Sequence, residues 1–148
     1  MISFDTNILL PAVHAGAPSH QSAAEFLGSL QEQDNVAVSE LVLLELYLLL
    51  RNPVVMGTAL GAARAASICE AFREHPRWQL VGLPTESRAF HDGLWPRLRR
   101  ESFARRRAID ARLGLALRVQ GVTAFATVNL KDFQDLGFER VWNPLAGK

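Results

Sequence analysis

Short apolar runs that end on polar residues alternate, along this chain, with longer stretches whose apolar positions recur at helical spacing. Ile2 and Phe4 make the first such run, which stops at Asp5. Thr6 and Asn7 bring polar side chains suited to a helix N-cap, and Ile8 to His14 reads as a short helix. A strand beginning beside Met1 leaves no room for flanking structure, so it is expected at the centre of a sheet. After a loop over residues 16–20, residues 20 to 32 carry Ala23, Ala24, Phe26, Leu27 and Leu30 at helical intervals. Val36 to Val38 predicts a second strand, and Ser39 the N-cap of a helix running to Arg51, ended by Asn52-Pro53. Residues 57 to 74 predict an alanine-rich helix, Trp78 to Val81 a third strand, and Pro84 the first turn of a helix reaching Leu98. Arg105 to Gln120 reads as a helix ended by Gly121, and Val122 to Ala126 as a fourth strand. Asp132 to Leu136 predicts one helical turn, and Arg140 to Trp142 an edge strand stopped by Asn143-Pro144.

This alternation predicts an α/β fold with a parallel sheet covered on both faces. At 148 residues the chain is expected to form one domain, 1–148, with room for a three-layer core and no second one. Hydrophobic residues make up 49% of the chain, and a net charge of +1 does not by itself mark a nucleic-acid binder. The single Cys69, in an alanine-rich stretch, reads as a buried thiol in a reducing compartment. No basic segment precedes an apolar one at the N-terminus, and the run from Leu41 to Leu50 is too short for a bilayer and is interrupted by Glu45. A soluble, cytoplasmic protein with no membrane association is expected.

Candidate chemistry lies where carboxylates interrupt the pattern. Ligand sites in open α/β sheets form beyond the carboxyl ends of the strands, where Asp5 would sit; alternatively Asp5 only caps the next helix. Glu45 stands in a helix apolar nearly all round, on a face with Leu41, Leu48 and Leu49. A charge there is costly unless paired or bound to a cation, so it meets either a distant Arg, a helix edge or a metal. Asp110 opens a helix whose apolar face includes Ile109, Leu113 and Leu117, and it is either a site residue or a first-turn partner of Arg106 and Arg107. Thr127 and Asn129 follow the fourth strand directly, whereas Asp132 reads only as a helix cap. Convergence of these oxygen donors, without His or Cys, suits Mg²⁺ or Mn²⁺ rather than Zn²⁺. His14, His20, His75 and His91 are scattered in or beside loops and read as surface residues.

Five pieces in order, Phe4-Asp5-Thr6-Asn7, the helix start from Ser39 to Glu45, Asp110-Ala111, Thr127-Val-Asn129-Leu-Lys-Asp132-Phe133 and Asn143-Pro144-Leu145, resemble the PIN domain. More narrowly, they resemble the ribonuclease toxins of VapC type. The resemblance implies a three-layer α/β/α sandwich around a parallel sheet of four to five short strands. It implies a Mg²⁺- or Mn²⁺-dependent endoribonuclease that cleaves RNA phosphodiesters as the toxin of a type II toxin–antitoxin module. Its implied partners are an RNA substrate, a small cognate antitoxin and a second copy of the chain as a homodimer. By position, Asp5, Glu45 and Asp110 match the family's three principal acidic residues and would hold the metal. Asn129 occupies the position where the family often has a fourth acid, a departure that bears on any second metal ion. Thr6, Asn7, Thr127 and Asp132 would support the set.

Arg97, Arg99, Arg100, Arg105, Arg106, Arg107 and Arg112 cluster around the approach to Asp110. Such a run is either a solvated face or, beside a metal site, a hold on RNA backbone, with Arg105, Arg106 and Arg107 as the candidates. Two other enzyme classes fit less well. A haloacid-dehalogenase-like phosphatase needs a second Asp where this chain has Asn7, and a receiver domain needs paired acids near the first strand. A degenerate PIN-like domain acting as a non-catalytic RNA- or protein-binding module is the alternative to the enzyme.

Overall fold

Five short parallel strands form the centre: β1 (Ile2–Phe4), β2 (Ala37–Ser39), β3 (Gln79–Val81), β4 (Ala124–Ala126) and β5 (Arg140–Trp142). The structure is a computed structural model describing residues 1–147. β1, β4 and β5 pair in that order, as do β2 and β3. A bridge from Ile2 to Val36, with the Ile2 amide donating to Asn35 O at 2.8 Å, joins the two sets. The order across the sheet is therefore β3-β2-β1-β4-β5, with β1 central and β5 at an edge, as the sequence predicts.

The helices divide by what they pack against. α1 (Thr6–Val13), α2 (His20–Leu30), α3 (Glu40–Leu50), α4 (Pro53–Met56) and α5 (Ala62–Arg73) form one group, in which α1 meets α2 and α3, and α3 meets α5. α6 (Ser87–Leu98), α7 (Ala108–Val119) and α8 (Leu130–Phe133) form the other, with α7 touching both neighbours. The core runs through the sheet between them. Phe4, Val38 and Phe125 are fully buried, as are Ile8, Leu46, Leu117 and Phe133. Each such side chain contributes roughly 1.5–3 kcal/mol by leaving water. Gly114 lets α7 approach closely: a Cβ there would lie 2.4 Å from Leu136 Cδ1.

Several boundaries differ from the sequence reading. α1 begins at Thr6, with Asp5 and not Thr6 or Asn7 as its N-cap. The helix expected over residues 57–74 begins only at Ala62, and an unexpected short helix precedes it: Asn52 caps α4 with Pro53 in its first turn, and the chain turns at Gly57 with φ 76° before α5. Proline at the first helical position starts a helix as readily as it stops the preceding one. Pro84 lies outside α6, which starts at Ser87. Residues 105–107 form a 3-10 turn before α7, and the last short helix is Leu130–Phe133, not 132–136. Among the described residues no helix is long and apolar enough to cross a membrane. Cys69 is half-buried, with its thiol 3.5 Å from Leu43 O. The histidines are half-buried as well, His75 stacking on Trp78 at 4.1 Å and His20 bonding Pro11 O at 2.8 Å.

Candidate active site

Parallel register brings the first two site residues together. Phe4 pairs with Ala126, so the next residues, Asp5 and Thr127, leave the sheet side by side at its carboxyl edge. The Asp5 amide donates to Ala126 O at 2.9 Å, and the Thr127 amide to Trp142 O at 2.9 Å. Both side chains are buried, and Thr127 Oγ1 donates to Asp5 Oδ2 at 2.8 Å. Asn7 ties the corner: its amide nitrogen donates to Asp5 Oδ2 at 3.2 Å and to Thr127 Oγ1 at 3.3 Å, and its oxygen accepts from the Val128 amide at 3.2 Å. Thr127 Oγ1 also accepts from the Asn129 amide at 3.0 Å.

Thr6 links this corner to α3. Its amide donates to Asp5 Oδ1 at 2.8 Å, the helix cap, while its hydroxyl donates to Glu45 Oε2 at 2.8 Å. One residue therefore holds two carboxylates. Glu45 reaches Thr6 from an exposed position, not the buried one expected, because α3 buries only one side: Val42, Leu43, Leu46 and Leu50 face inward while Leu44 and Leu48 lie open. Its charge is thus not stranded in the core.

Asp110 completes the set from the first turn of α7. Ile109 beside it is exposed, so the inward face of α7 is Ala111, Leu113, Gly114, Ala116 and Leu117. Burial raises the Asp110 carboxyl above its ordinary range, and the charges of Asp132 and Glu45 push the same way against Arg106 and Arg107. Asp5 rises from 3.8 to about 6: burial is the largest cause, bonds from Thr127 and Thr6 oppose it, and Glu45 and Asp110 add repulsion. Asp5, Glu45 and Asp110 thus sit in one another's field. A carboxylate raised by burial and like charge in a cleft marks a functional candidate.

The two Asp5 readings, site residue and helix cap, coexist. Asp132 departs from expectation: it is no cap but a buried residue inside α8, while Asn129, at the cap position, is exposed and makes no side-chain cap bond. Asp132 takes Arg106 Nη1 at 2.9 Å on Oδ2 and Arg107 Nε at 3.5 Å on Oδ1. Arg107 also donates to Asp132 O at 2.9 Å and pairs with Asp135 at 2.8 Å. Arg107 is four-fifths buried while Arg106 is largely exposed, and Arg105 lies open. Sequence reading did not single out Asp135; its spacing from Asp132, one helical turn on, opposite an arginine run, is the signal that points to it. A cleft beside the set is lined by Arg106, Val128, Asn129, Lys131, Asp132 and Gln134.

The donor chemistry suits a hard divalent ion: every candidate ligand is an oxygen, and repulsion among the carboxylates is what a cation relieves. Among the described residues, no three His, Cys, Asp or Glu side chains already enclose an ion position. Mg²⁺ keeps several waters and needs only one or two carboxylates, so the arrangement fits it without a closed cage.

The chain matches no protein-family model. Over 145 residues it is 46% identical to the ribonuclease VapC24 of Mycobacterium tuberculosis, in strains CDC 1551 and H37Rv, covering 98% of this chain and 97% of that protein. Its backbone matches the crystal structure of Mycobacterium tuberculosis VapC20, a sarcin–ricin loop cleaving toxin, with TM-score 0.66 and 22% identity over 93% of this chain and 96% of that one. It matches FitAcB from Neisseria gonorrhoeae with TM-score 0.67 and 18% identity, over 99% of both chains. It also matches VapBC2 from Rickettsia felis, bound to a promoter DNA fragment, with TM-score 0.60 and 18% identity over 95% of this chain and 98% of that one. The structural likenesses carry the fold, and the full-length identity carries the kinship: this chain belongs to the VapC family of ribonucleases.

Proposed function

We propose that this chain is a single-domain, Mg²⁺- or Mn²⁺-dependent endoribonuclease that acts as the toxin of a toxin–antitoxin pair. The observation that carries this reading is Thr6 holding the Asp5 and Glu45 carboxylates together, with Asp110 in their field. Asp5 and Asp110 would hold the ion and Glu45 would hold it directly or through water. When bound, it supplies Lewis-acid polarisation of a phosphoryl oxygen and charge stabilisation in the transition state. The chain's own part is to fix the donors: Thr127, Asn7 and the Thr6 amide orient Asp5 through both its oxygens, so little reorganisation is left for the reaction. Metal-assisted attack by water on the phosphodiester needs no Ser or Cys nucleophile.

The toxin role is supported by VapC20, itself a toxin, and the antitoxin by the VapBC2 assembly, both proteins that share this fold. Cleavage of a labelled single-stranded RNA tests the reading. We expect cleavage with Mg²⁺ or Mn²⁺, none in excess EDTA, and a loss of at least 100-fold in Asp110→Asn, which keeps the shape but removes charge a hard cation requires. Undiminished cleavage in EDTA would sink it.

A further inference from the structure

α6 turns Phe90 and Leu94 into the core, yet Trp95 beside them is 60% exposed. The other two tryptophans are covered, Trp78 fully and Trp142 in part. Trp95 shares a helix face with His91 and Arg99, one turn away on either side. Its indole N–H donates to His91 Nδ1 at 3.1 Å, and the His91 ring packs edge-on against Phe90 with centroids 5.3 Å apart. The indole is thus both open to solvent and held in orientation through a buried ring. It borders a hollow lined by His91, Asp92, Trp95, Pro96 and Arg99.

Two observations tie this hollow to a polyanion. Residues 86–107 carry seven arginines against three carboxylates, and five of the seven, Arg88, Arg97, Arg99, Arg100 and Arg105, are in no salt bridge among the described residues. The end of α6 also reaches the rim of the carboxylate site: Arg97 donates to Asp135 O at 3.2 Å, Asp135 pairs with Arg107, and Arg107 pairs with Asp132, whose charge Asp110 feels. A rigid aromatic beside an arginine, on the helix that carries Arg97 to that rim, has the makeup of a single-strand platform. An apolar protein segment would find no comparable charge complement here.

We propose that Trp95 stacks an unpaired nucleobase of the RNA substrate while Arg99 takes a neighbouring phosphate. This deepens the ribonuclease reading and rests on it. Stacking tolerates any base, so Trp95 sets where the strand lies rather than which sequence is cut.

Steady-state cleavage of a single-stranded RNA in Mg²⁺ tests it, with wild type, Trp95→Ala and Trp95→Phe. Removing one stacked base is expected to raise KM about 5- to 100-fold in Trp95→Ala, with kcat within twofold, and Trp95→Phe should recover most of the loss. A series of substrates made abasic at one position at a time supplies a readout that a structural role would not move. One abasic position should weaken wild type yet leave Trp95→Ala unaffected. An unchanged KM in Trp95→Ala overturns the platform, as does equal sensitivity of both proteins at every abasic position. That is also the outcome if Trp95 serves a protein partner. Wild type that shows no metal-dependent cleavage overturns the underlying ribonuclease reading, so the two failures are distinguishable.

Discussion

Replacing Asp5 by Asn should make the metal-free protein more stable at neutral pH, although Asp5 is buried and hydrogen-bonded through both oxygens. The carboxyl rises from 3.8 to about 6 on folding, chiefly through burial. At 1.36 kcal/mol per pH unit, holding it ionised in the fold costs about 3 kcal/mol. The sign follows from linkage. A raised acid binds its proton more readily in the folded state, so its contribution is fully favourable below about 3.8 and is lost as pH rises through about 6. Above that, wild type bears the whole penalty and the neutral amide bears none.

The amide also loses something. Its NH₂ group cannot accept from Thr127 and Asn7 as Oδ2 does, which costs about 1 kcal/mol even after those side chains reorient. A net gain of roughly 1–2 kcal/mol remains for Asp5→Asn at pH 7.5. Urea unfolding in EDTA reads it directly, at pH 7.5 and again at pH 5, where the gain should shrink because wild-type Asp5 takes up its proton. Adding Mg²⁺ should then reverse the order, stabilising wild type alone. A variant less stable than wild type at pH 7.5, or a gain that acid does not diminish, refutes the reasoning.

The arginine run should separate into two roles: Arg107→Gln, which uncouples Asp132 and Asp135 from the start of α7, should cost about 2 kcal/mol of unfolding free energy. Arg105→Gln should leave stability within about 0.5 kcal/mol but flatten the dependence of log K for RNA on log[salt] by about 0.7 if that phosphate contact is lost. Thr6→Val removes the hydroxyl that holds Glu45. We expect a loss of about 1 kcal/mol in stability and a 10- to 100-fold rise in the Mn²⁺ concentration needed for half-maximal cleavage, measured by metal titration.

The elements were legible where pattern and local chemistry agree. β1, ended by Asp5 just before a helix, is legible as a strand, whereas its pairing with β4 joins segments far apart in the sequence that no local signal connects. The reading of α3 erred because periodicity cannot say which leucines face water: the helix is apolar all round, yet Leu44 and Leu48 lie open. That error made Glu45 look like a stranded buried charge, when it lies exposed and accepts from the Thr6 hydroxyl. Thr6 is the least legible member of the site. Its part depends on a contact across 39 positions, which no local signal carries.

Asp132 shows why charge counted along a sequence differs from charge available in a fold. As a carboxylate three residues past Asn129, it is the natural substitute for an acid missing there. In the fold both its oxygens are engaged by arginines, and its carbonyl holds Arg107 as well. Drawing a carboxylate so paired to a cation would weaken its pairing with Arg106 and Arg107, the second of them mostly buried. Asp132 thus ties α8 to the turn before α7, and its charge helps raise the Asp110 carboxyl. Asp5, Glu45 and Asp110 remain, none of them in a salt bridge among the described residues. Under the proposed function, three carboxylates compensate one divalent ion and fall short of two. The uncharged Asn129, exposed at the rim, is then free to face substrate, which is where an amide serves better than a repelling acid.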